Sequence, residues 1–370
     1  MSRLYLLPLW LVALFCIVSC DRPSHETKTI SVWHFWSEPH QAKALRVLAD
    51  AFEAQHPLIR VELVPLQWSD GKAKLKLALA SNHPPDVVHI GLDWFADFAQ
   101  FNVFEASPIP ASVAWGEALS YADTIRAAPW FANCRALFVR QESSSGTIGF
   151  CTSDPHNVLK RMLPIIWRTS PTSFCTSLPI HQSIDEDCII ALDRVRLSVQ
   201  QGARLARSRD LDELFLRGDI DTVVSGLWLM ARLRDAPFPC RIIPVRSIVN
   251  ADVLAVPRGG SSREAHSFVA FATSAQQCLS FCRAVPEAGF PMEDSTATQL
   301  LDSYTDTNAR TKLEGFLATL RKSAPLPYTR QMLAIEEELE QMIDRCLYAS
   351  SQTEVRLIVN ASRNRVAALE

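Results

Sequence analysis

Tryptophans and hydrogen-bonding side chains follow several of the chain's short apolar runs. Trp36 and Glu38 come just after one β-branched and aromatic run, and Asp93 and Trp94 just after another. Trp130, Asn133, Arg135, Trp167 and Trp228 stand in later blocks. Indole faces stack on apolar patches of a ligand, while carboxylate, amide and guanidinium groups exchange hydrogen bonds with its polar edge. That chemistry holds a small molecule without breaking a bond in it. GxSxG, HExxH, GxGxxG and GxxxxGK[ST] are absent, and scattered Ser, His and Asp residues do not establish a triad. His34 and His89 with Asp93 would suit a metal, but core histidines at strand ends are the commoner explanation. Cys278 and Cys282, four apart, read as packing residues on one helical face. No cofactor is expected.

The elements that must position these residues can be read from apolar spacing. Thr29 to Trp36 reads as a strand, and Ala42, Leu45, Leu48, Ala49 and Phe52 recur at helical spacing after Pro39. Pro57 ends that helix, and Ile59, Val61 and Leu63 alternate with Arg60 and Glu62 as a second strand. A helix over Gly71 to Ala80 and a buried-type strand over Asp86 to Ile90 follow. This alternation predicts a parallel α/β sheet, whose ligands approach the carboxyl ends of the strands. Trp36-Ser37-Glu38 and Gly91-Leu92-Asp93-Trp94 occupy such ends. After a strand at Ala136 to Arg140, Ser143-Ser144-Ser145-Gly146 reads as a turn or linker opening a second region. That region carries helices near Asn157 to Trp167 and from Asp185 to about Arg207, a strand at Asp252 to Val256, and further helices from Ser261 to Ala272 and Ile335 to Leu347.

At 370 residues the chain exceeds the size of one core, so two domains are expected. Hydrophobic residues make up 48%, enough to fill ordinary cores. With 37 Lys+Arg against 40 Asp+Glu, the net charge of -3 gives no reason to expect nucleic acid as a partner. Arg3 followed by the apolar run Leu4 to Val18 reads as an export signal, too short for the ~20 residues of a membrane span. Ile17-Val18-Ser19-Cys20 resembles the lipobox of bacterial lipoproteins. That resemblance implies a signal peptide over 1–19, acylation of Cys20 and a lipidated tether over 20–28. Ten cysteines without a CxxC pair fit no zinc ribbon, though an exported chain could form one or two bridges.

Separated blocks carry a wider resemblance. Val32-Trp33-His34-Phe35-Trp36-Ser37, Ala51-Phe52-Glu53-x-x-His56-Pro57-x-Ile59-x-Val61 and Pro85-Asp86-Val87-Val88-x-Ile90-Gly91 come first. Ala128-Pro129-Trp130-Phe131-x-Asn133-x-Arg135-Ala136-Leu137, Ser225-Gly226-x-Trp228 and Asp252-Val253-Leu254-Ala255-Val256 follow. Their order resembles family 1 extracellular solute-binding proteins, the carbohydrate-binding relatives of maltose-binding protein. The resemblance implies a type II periplasmic-binding fold: two α/β lobes joined by a three-crossing hinge, with crossings near Asn133, Asn250 and Ala324 and a ligand cleft between the lobes. Lobe 1 is then 29–132 plus 250–323, and lobe 2 is 133–249 plus 324–370.

It further implies a monomeric, lipid-anchored, non-enzymatic receptor at the extracytoplasmic face of a bacterial cytoplasmic membrane, passing a sugar to an ABC permease. Trp36, Trp94, Trp130, Trp167 and Trp228 are then the candidate sugar platforms, with Trp130 and Trp228 at the family's cleft-lining positions. Asp93 either accepts bonds from vicinal hydroxyls or caps the helix near Trp94. Glu38 either faces ligand or favours a helix start. Asn133 is assigned to ligand, and Arg135 either holds ligand or ties the lobes together. The segment between Arg140 and Gly149 is shorter than in many relatives, so the second lobe is trimmed beside the cleft. A receptor for another polar solute such as a glycerol phosphate ester, a surface or signalling lipoprotein, and an exported hydrolase remain the alternatives.

Overall fold

The computed structural model describes residues 27–370 apart from 82, 109–118, 122–123, 142–145, 175–177, 234–237 and 328–330. Cys20 and its signal segment, and most of the expected turn at Ser143 to Gly146, lie outside the described residues.

The first half of lobe 1 follows the alternation of apolar spacing. Strand β1 (Lys28–His34) buries Ile30, Val32 and His34 on one face. Helix α1 (Pro39–Gln55) starts at a proline, whose fixed φ suits a first helical turn, and turns Leu45, Leu48, Ala49 and Phe52 inward. There follow β2 (Ile59–Pro65), α2 (Gly71–Leu79), β3 (Val87–Gly91) and α3 (Leu92–Ala99). Strand β1 pairs in parallel with β2 and β3. A small ribbon, β4 (Ser120–Tyr121) with β5 (Thr124–Ile125), precedes β6 (Ala128–Cys134).

Lobe 2 begins with β7 (Ala136–Arg140), which Arg135 alone separates from β6. It continues through β8 (Gly149–Cys151), α4 (Val158–Thr169), α5 (Glu186–Gln200), β9 (Arg204–Ala206), α6 (Ser208–Arg217), β10 (Thr222–Ser225), α7 (Leu227–Arg232) and β11 (Cys240–Ile243). The helix expected to reach about Arg207 stops at Gln200. Gly202 takes φ +104°, a conformation that excludes most other residues, and turns the chain into β9. Strand β7 sits between β10 and β11, antiparallel to both, while β8 pairs in parallel with β9.

The chain then returns through β12 (Val249–Ala255), α8 (Ser262–Ala272), α9 (Ala275–Ala284), β13 (Phe290–Pro291), α10 (Asp294–Asp302) and α11 (Thr307–Arg321). The larger sheet has the order β13-β6-β12-β3-β1-β2, with β12 antiparallel to both β3 and β6. Helices α12 (Met332–Leu347) and α13 (Gln352–Leu369) close the chain against α4 and α5.

The strands that leave one sheet for the other run side by side. The Arg135 N–H donates to Ser247 Oγ (3.2 Å), and the Ser247 N–H donates to Ser323 Oγ (3.0 Å). Ile248 bridges Ala324, whose carbonyl accepts from the Val249 N–H at 3.0 Å. Three crossing segments near 135, 247 and 323 are thereby laced together. Seven described cysteines, Cys134, Cys151, Cys188, Cys240, Cys278, Cys282 and Cys346, are buried free thiols.

Candidate functional site

On lobe 1 the carboxyl ends of β1, β2 and β3 gather an aromatic cluster. Phe35 stacks on Trp68 (centroids 4.3 Å apart), and Trp94 meets Trp68 at 5.2 Å and Phe35 at 5.1 Å, edge-on. Gly71 is required below them, because a Cβ there would lie 2.3 Å from Phe35 Cε1. Trp68 is 53% exposed while Phe35 is buried, so the cluster presents an indole face to solvent. Lys72 pairs with Asp97, and its ammonium lies 5.5 Å from the Trp94 ring centre.

The facing part of lobe 2 is built on a buried ion pair. Arg161 of α4 makes three 3.0 Å bonds to the Asp212 carboxylate of α6. Trp228 Nε1 donates to the same carboxylate at 2.9 Å. Strand β10 ends at Ser225, and Gly226 lets the Trp228 ring fold against its own turn. A Cβ at 226 would fall 1.9 Å from Trp228 Cζ3. The Arg135 guanidinium covers that ring at 4.8 Å and donates from Nη2 to Asn157 Oδ1 at 2.9 Å. Burial, with repulsion from Arg161, lowers the Arg135 pKa to about 10.

Asp93 joins the two faces. It lies in the first turn of α3, and its Oδ2 accepts from Lys160 Nζ of α4 at 2.9 Å. Burial opposes the charge on Asp93, but Lys160's charge and hydrogen bond outweigh it and hold the carboxyl below its ordinary range. Lys160, 8% exposed, is disfavoured as a cation by burial, yet Asp93 and Glu336 together push its pKa upward. Glu336 of α12 is 4% exposed and its Oε1 has no hydrogen-bond partner. Burial drives its pKa to about 7, Lys160 opposing and Asp93, Glu340 and Asp97 reinforcing the rise. A cavity of about 60 Å³ lies between Leu92, Asp93, Lys160, Asn250, Met332 and Glu336.

Of the residues read from sequence, Asp93, Trp94, Arg135 and Trp228 fall in this interlobe region. Three tryptophans do not serve as platforms. Trp130, 2% exposed, donates to the Ala272 carbonyl at 3.1 Å and stacks on Phe131 inside lobe 1. Trp36, 9% exposed, stacks on His89 and packs against Phe131 and Phe281 in the same core. Trp167, 3% exposed, bonds Ser173 O and lies under the Arg246 guanidinium. Their large apolar area was worth more inside the lobes than on the cleft wall. Asn133 is turned to local work: Oδ1 accepts the Cys134 N–H, and Nδ2 donates to the Glu287 carbonyl. Glu38 is exposed and starts α1, its N–H donating to Gln41 Oε1. His89 contacts Asp252 at 3.2 Å and accepts from the Phe35 N–H, while His34 is lowered to about 4 by burial and by His89. Among the described residues no group of three or more His, Cys, Asp or Glu side chains could hold a metal ion.

Sequence reasoning missed Trp68, Lys160, Arg161, Asp212 and Glu336. Trp68 had a usable signal, three residues beyond the end of a parallel strand. Lys160-Arg161 had another, two adjacent cations near the start of a mostly apolar helix.

Residues 36–140 match the family model of bacterial extracellular solute-binding proteins. No curated relative matches the chain by sequence. Its fold is similar to the cyclic α-maltosyl-1,6-maltose binding protein of Arthrobacter globiformis, with TM-score 0.76 at 15% identity over 92% of this chain and 98% of that one. The two-lobe periplasmic-binding fold is therefore established. It is also similar to the maltotriose binding protein of Thermus thermophilus, with TM-score 0.70 at 15% identity over 92% and 100%. A third likeness is to an ABC substrate-binding protein of Listeria monocytogenes in complex with cycloalternan, with TM-score 0.71 at 16% identity over 93% and 98%. The interlobe region described above is the candidate cleft. Among the described residues no helix is long and apolar enough to cross a membrane.

Proposed function

We propose that the protein is an extracytoplasmic carbohydrate receptor of an ABC importer, anchored through acylated Cys20 and delivering its ligand to a membrane permease. Residues 29–132 with 250–323 form one lobe and 133–249 with 324–370 the other, and a sugar is captured when they close about the laced crossings. Hinge closure around a ligand is the motion by which periplasmic binding proteins work. The observation that carries the reading is the exposed indole of Trp68 beside Trp94, on the same wall as Asp93. An indole face takes the C–H side of a sugar ring and a carboxylate takes its hydroxyls.

Calorimetric titration of the mature chain with maltotriose and longer gluco-oligosaccharides, beside mass spectrometry of any ligand retained on purification, tests it. A bound sugar at 100 times its dissociation constant adds about 2.7 kcal/mol of stability, and scattering should show compaction. A retained ligand that is not a carbohydrate, with no sugar titrating, refutes the reading. Cys20→Ser should abolish membrane retention or processing, and unchanged retention refutes the anchor.

A further inference from the structure

Lys160 stands between two carboxylates from distant parts of the chain. Asp93, in the first turn of α3, accepts from its ammonium at 2.9 Å. Glu336, on the helix α12 that packs against α4, lines the same small cavity as Lys160, and each of the two acts on the other's charge. The carboxylates are unequally provided for. Asp93 also accepts from the Trp94 N–H and feels the charge of Lys72, so it keeps partners if the ammonium leaves. Among the described residues Glu336 Oε1 has no hydrogen-bond partner, and Lys160 favours its ionised form. The charged groups facing Glu336 are Asp93 and Asp97 of α3, Lys160 of α4 and Glu340 of α12 itself. Lys160 in turn feels Arg135 and lies near His156.

We infer that Lys160 is a transferable latch and Glu336 its second acceptor: a ligand that takes Asp93 sends the ammonium to Glu336, and capture thereby releases a proton. Before capture Glu336 is partly protonated near neutrality, with its pKa at about 7. An ammonium drawn into hydrogen bonding favours the carboxylate, so the proton on Glu336 passes to solvent. No other bond is made or broken. The flexible four-carbon stem of lysine supplies the reach. The cavity of about 60 Å³ exceeds the ~10–15 Å³ that one water needs, so an ammonium has room to turn. One of its three donors then serves Glu336, and the others remain for ligand hydroxyls. Glu336 touches no ligand in this scheme and is a positioning residue that acts through Lys160.

The inference rests on the carbohydrate reading for its ligand. The test titrates wild type, Glu336→Gln and Lys160→Met with maltotriose by calorimetry at pH 6, 7 and 8, in phosphate and in imidazole. These buffers differ in heat of ionisation, so the difference in observed heat counts the protons released. Circular dichroism melting establishes that each variant is folded. Wild type should release close to one proton at pH 6, about half at pH 7 and almost none at pH 8, and its affinity should rise about ten-fold across that range. Both variants should release almost none, with affinity flat in pH. Scattering reads the transfer without ligand: as pH rises, an ionised Glu336 draws Lys160 from Asp93. The wild-type radius of gyration should therefore grow from pH 6 to 8, while that of Glu336→Gln stays constant.

Maltotriose binding with no proton released from wild type at pH 6 overturns the inference and leaves the carbohydrate reading standing. So does a release that persists in Glu336→Gln, since the proton then comes from another group. Absence of maltotriose binding counts against the carbohydrate reading, and the radius then decides the inference. A wild-type radius that grows with pH and is fixed by Glu336→Gln supports the latch, and a flat one overturns it.

Discussion

Glu336→Gln gives the cleft its sharpest physical test. The wild-type carboxyl moves from an ordinary 4.5 to about 7 on folding, chiefly because α12 buries it, with Asp93, Glu340 and Asp97 adding like charge and Lys160 opposing. A folded-state pKa above the unfolded one means that the native chain holds a proton the unfolded chain releases between pH 4.5 and 7. Stability then falls as pH rises through that window, and above about pH 7 the ionised form carries the full cost. At ~1.4 kcal/mol per pH unit, the rise amounts to about 3 kcal/mol. Glutamine keeps the shape and removes the titration. Urea unfolding at half-unit steps from pH 4.5 to 8.5 should show variant and wild type together at the acid end, with the variant about 3 kcal/mol more stable at pH 8. A difference that is flat across this range, or a variant less stable at pH 8, refutes the burial argument. A wild type that gains stability with pH while the variant does not would mean that Lys160 attraction, not desolvation, dominates Glu336.

Three further outcomes follow from the same geometry. Asp212→Ala leaves the buried Arg161 guanidinium without its carboxylate and should cost about 3 to 5 kcal/mol, read as a lower urea midpoint; pairing it with Arg161→Met should recover much of the loss. Gly226→Ala places a methyl 1.9 Å from Trp228 Cζ3, so the ring must leave Asp212. A loss of about 1 to 3 kcal/mol and a shifted indole emission are expected, and an unshifted spectrum refutes the placement. Lys160→Met removes the bond between α3 and α4, and scattering of the unliganded chain should then show a larger radius of gyration. An unchanged radius means that the crossings alone hold the lobes.

What the sequence disclosed follows from how locally each feature is specified. Strand β1, helix α1 and strand β2 were legible because apolar spacing, Pro39 and Pro57 fix them within a short stretch of chain. The crossing expected near Asn133 came from the resemblance of the separated blocks to a known family, and apolar spacing alone did not mark it. Tryptophan faces were not legible. A residue at a strand end can point into the lobe or into the cleft, and Trp130 and Trp36 both pack against Phe281, which comes from a distant part of the chain. Glu336 was hidden for another reason: it sits in the run Glu336-Glu337-Glu338, and only the packing of α12 on α4 decides which carboxylate loses water. Lys160 and Arg161 were visible as an anomaly, but their partners Asp93 and Asp212 are 67 and 51 residues away.

The demands on a ligand follow from the state of the cleft. The space of about 60 Å³ between Asp93, Lys160 and Glu336 is far below the ~300 Å³ at which small-molecule pockets begin, so this corner admits no sugar-sized ring while α3 and α4 stay bonded. Parting α3 from α4 breaks the Asp93–Lys160 bond, the only ion pair between these two helices among the described residues. A bound molecule must then satisfy both ends. Hydroxyls can replace Lys160 at Asp93, but the freed ammonium, held beside Glu336, keeps its own demand for an acceptor. Sugar hydroxyls can donate to one and accept from the other, as a purely apolar ligand cannot. On the proposed carbohydrate reading, the affinity is therefore the difference between the stacking and hydrogen bonding a sugar supplies and the ion pair it displaces, and it should rise if Lys160 is shortened to a neutral side chain without disturbing Asp93.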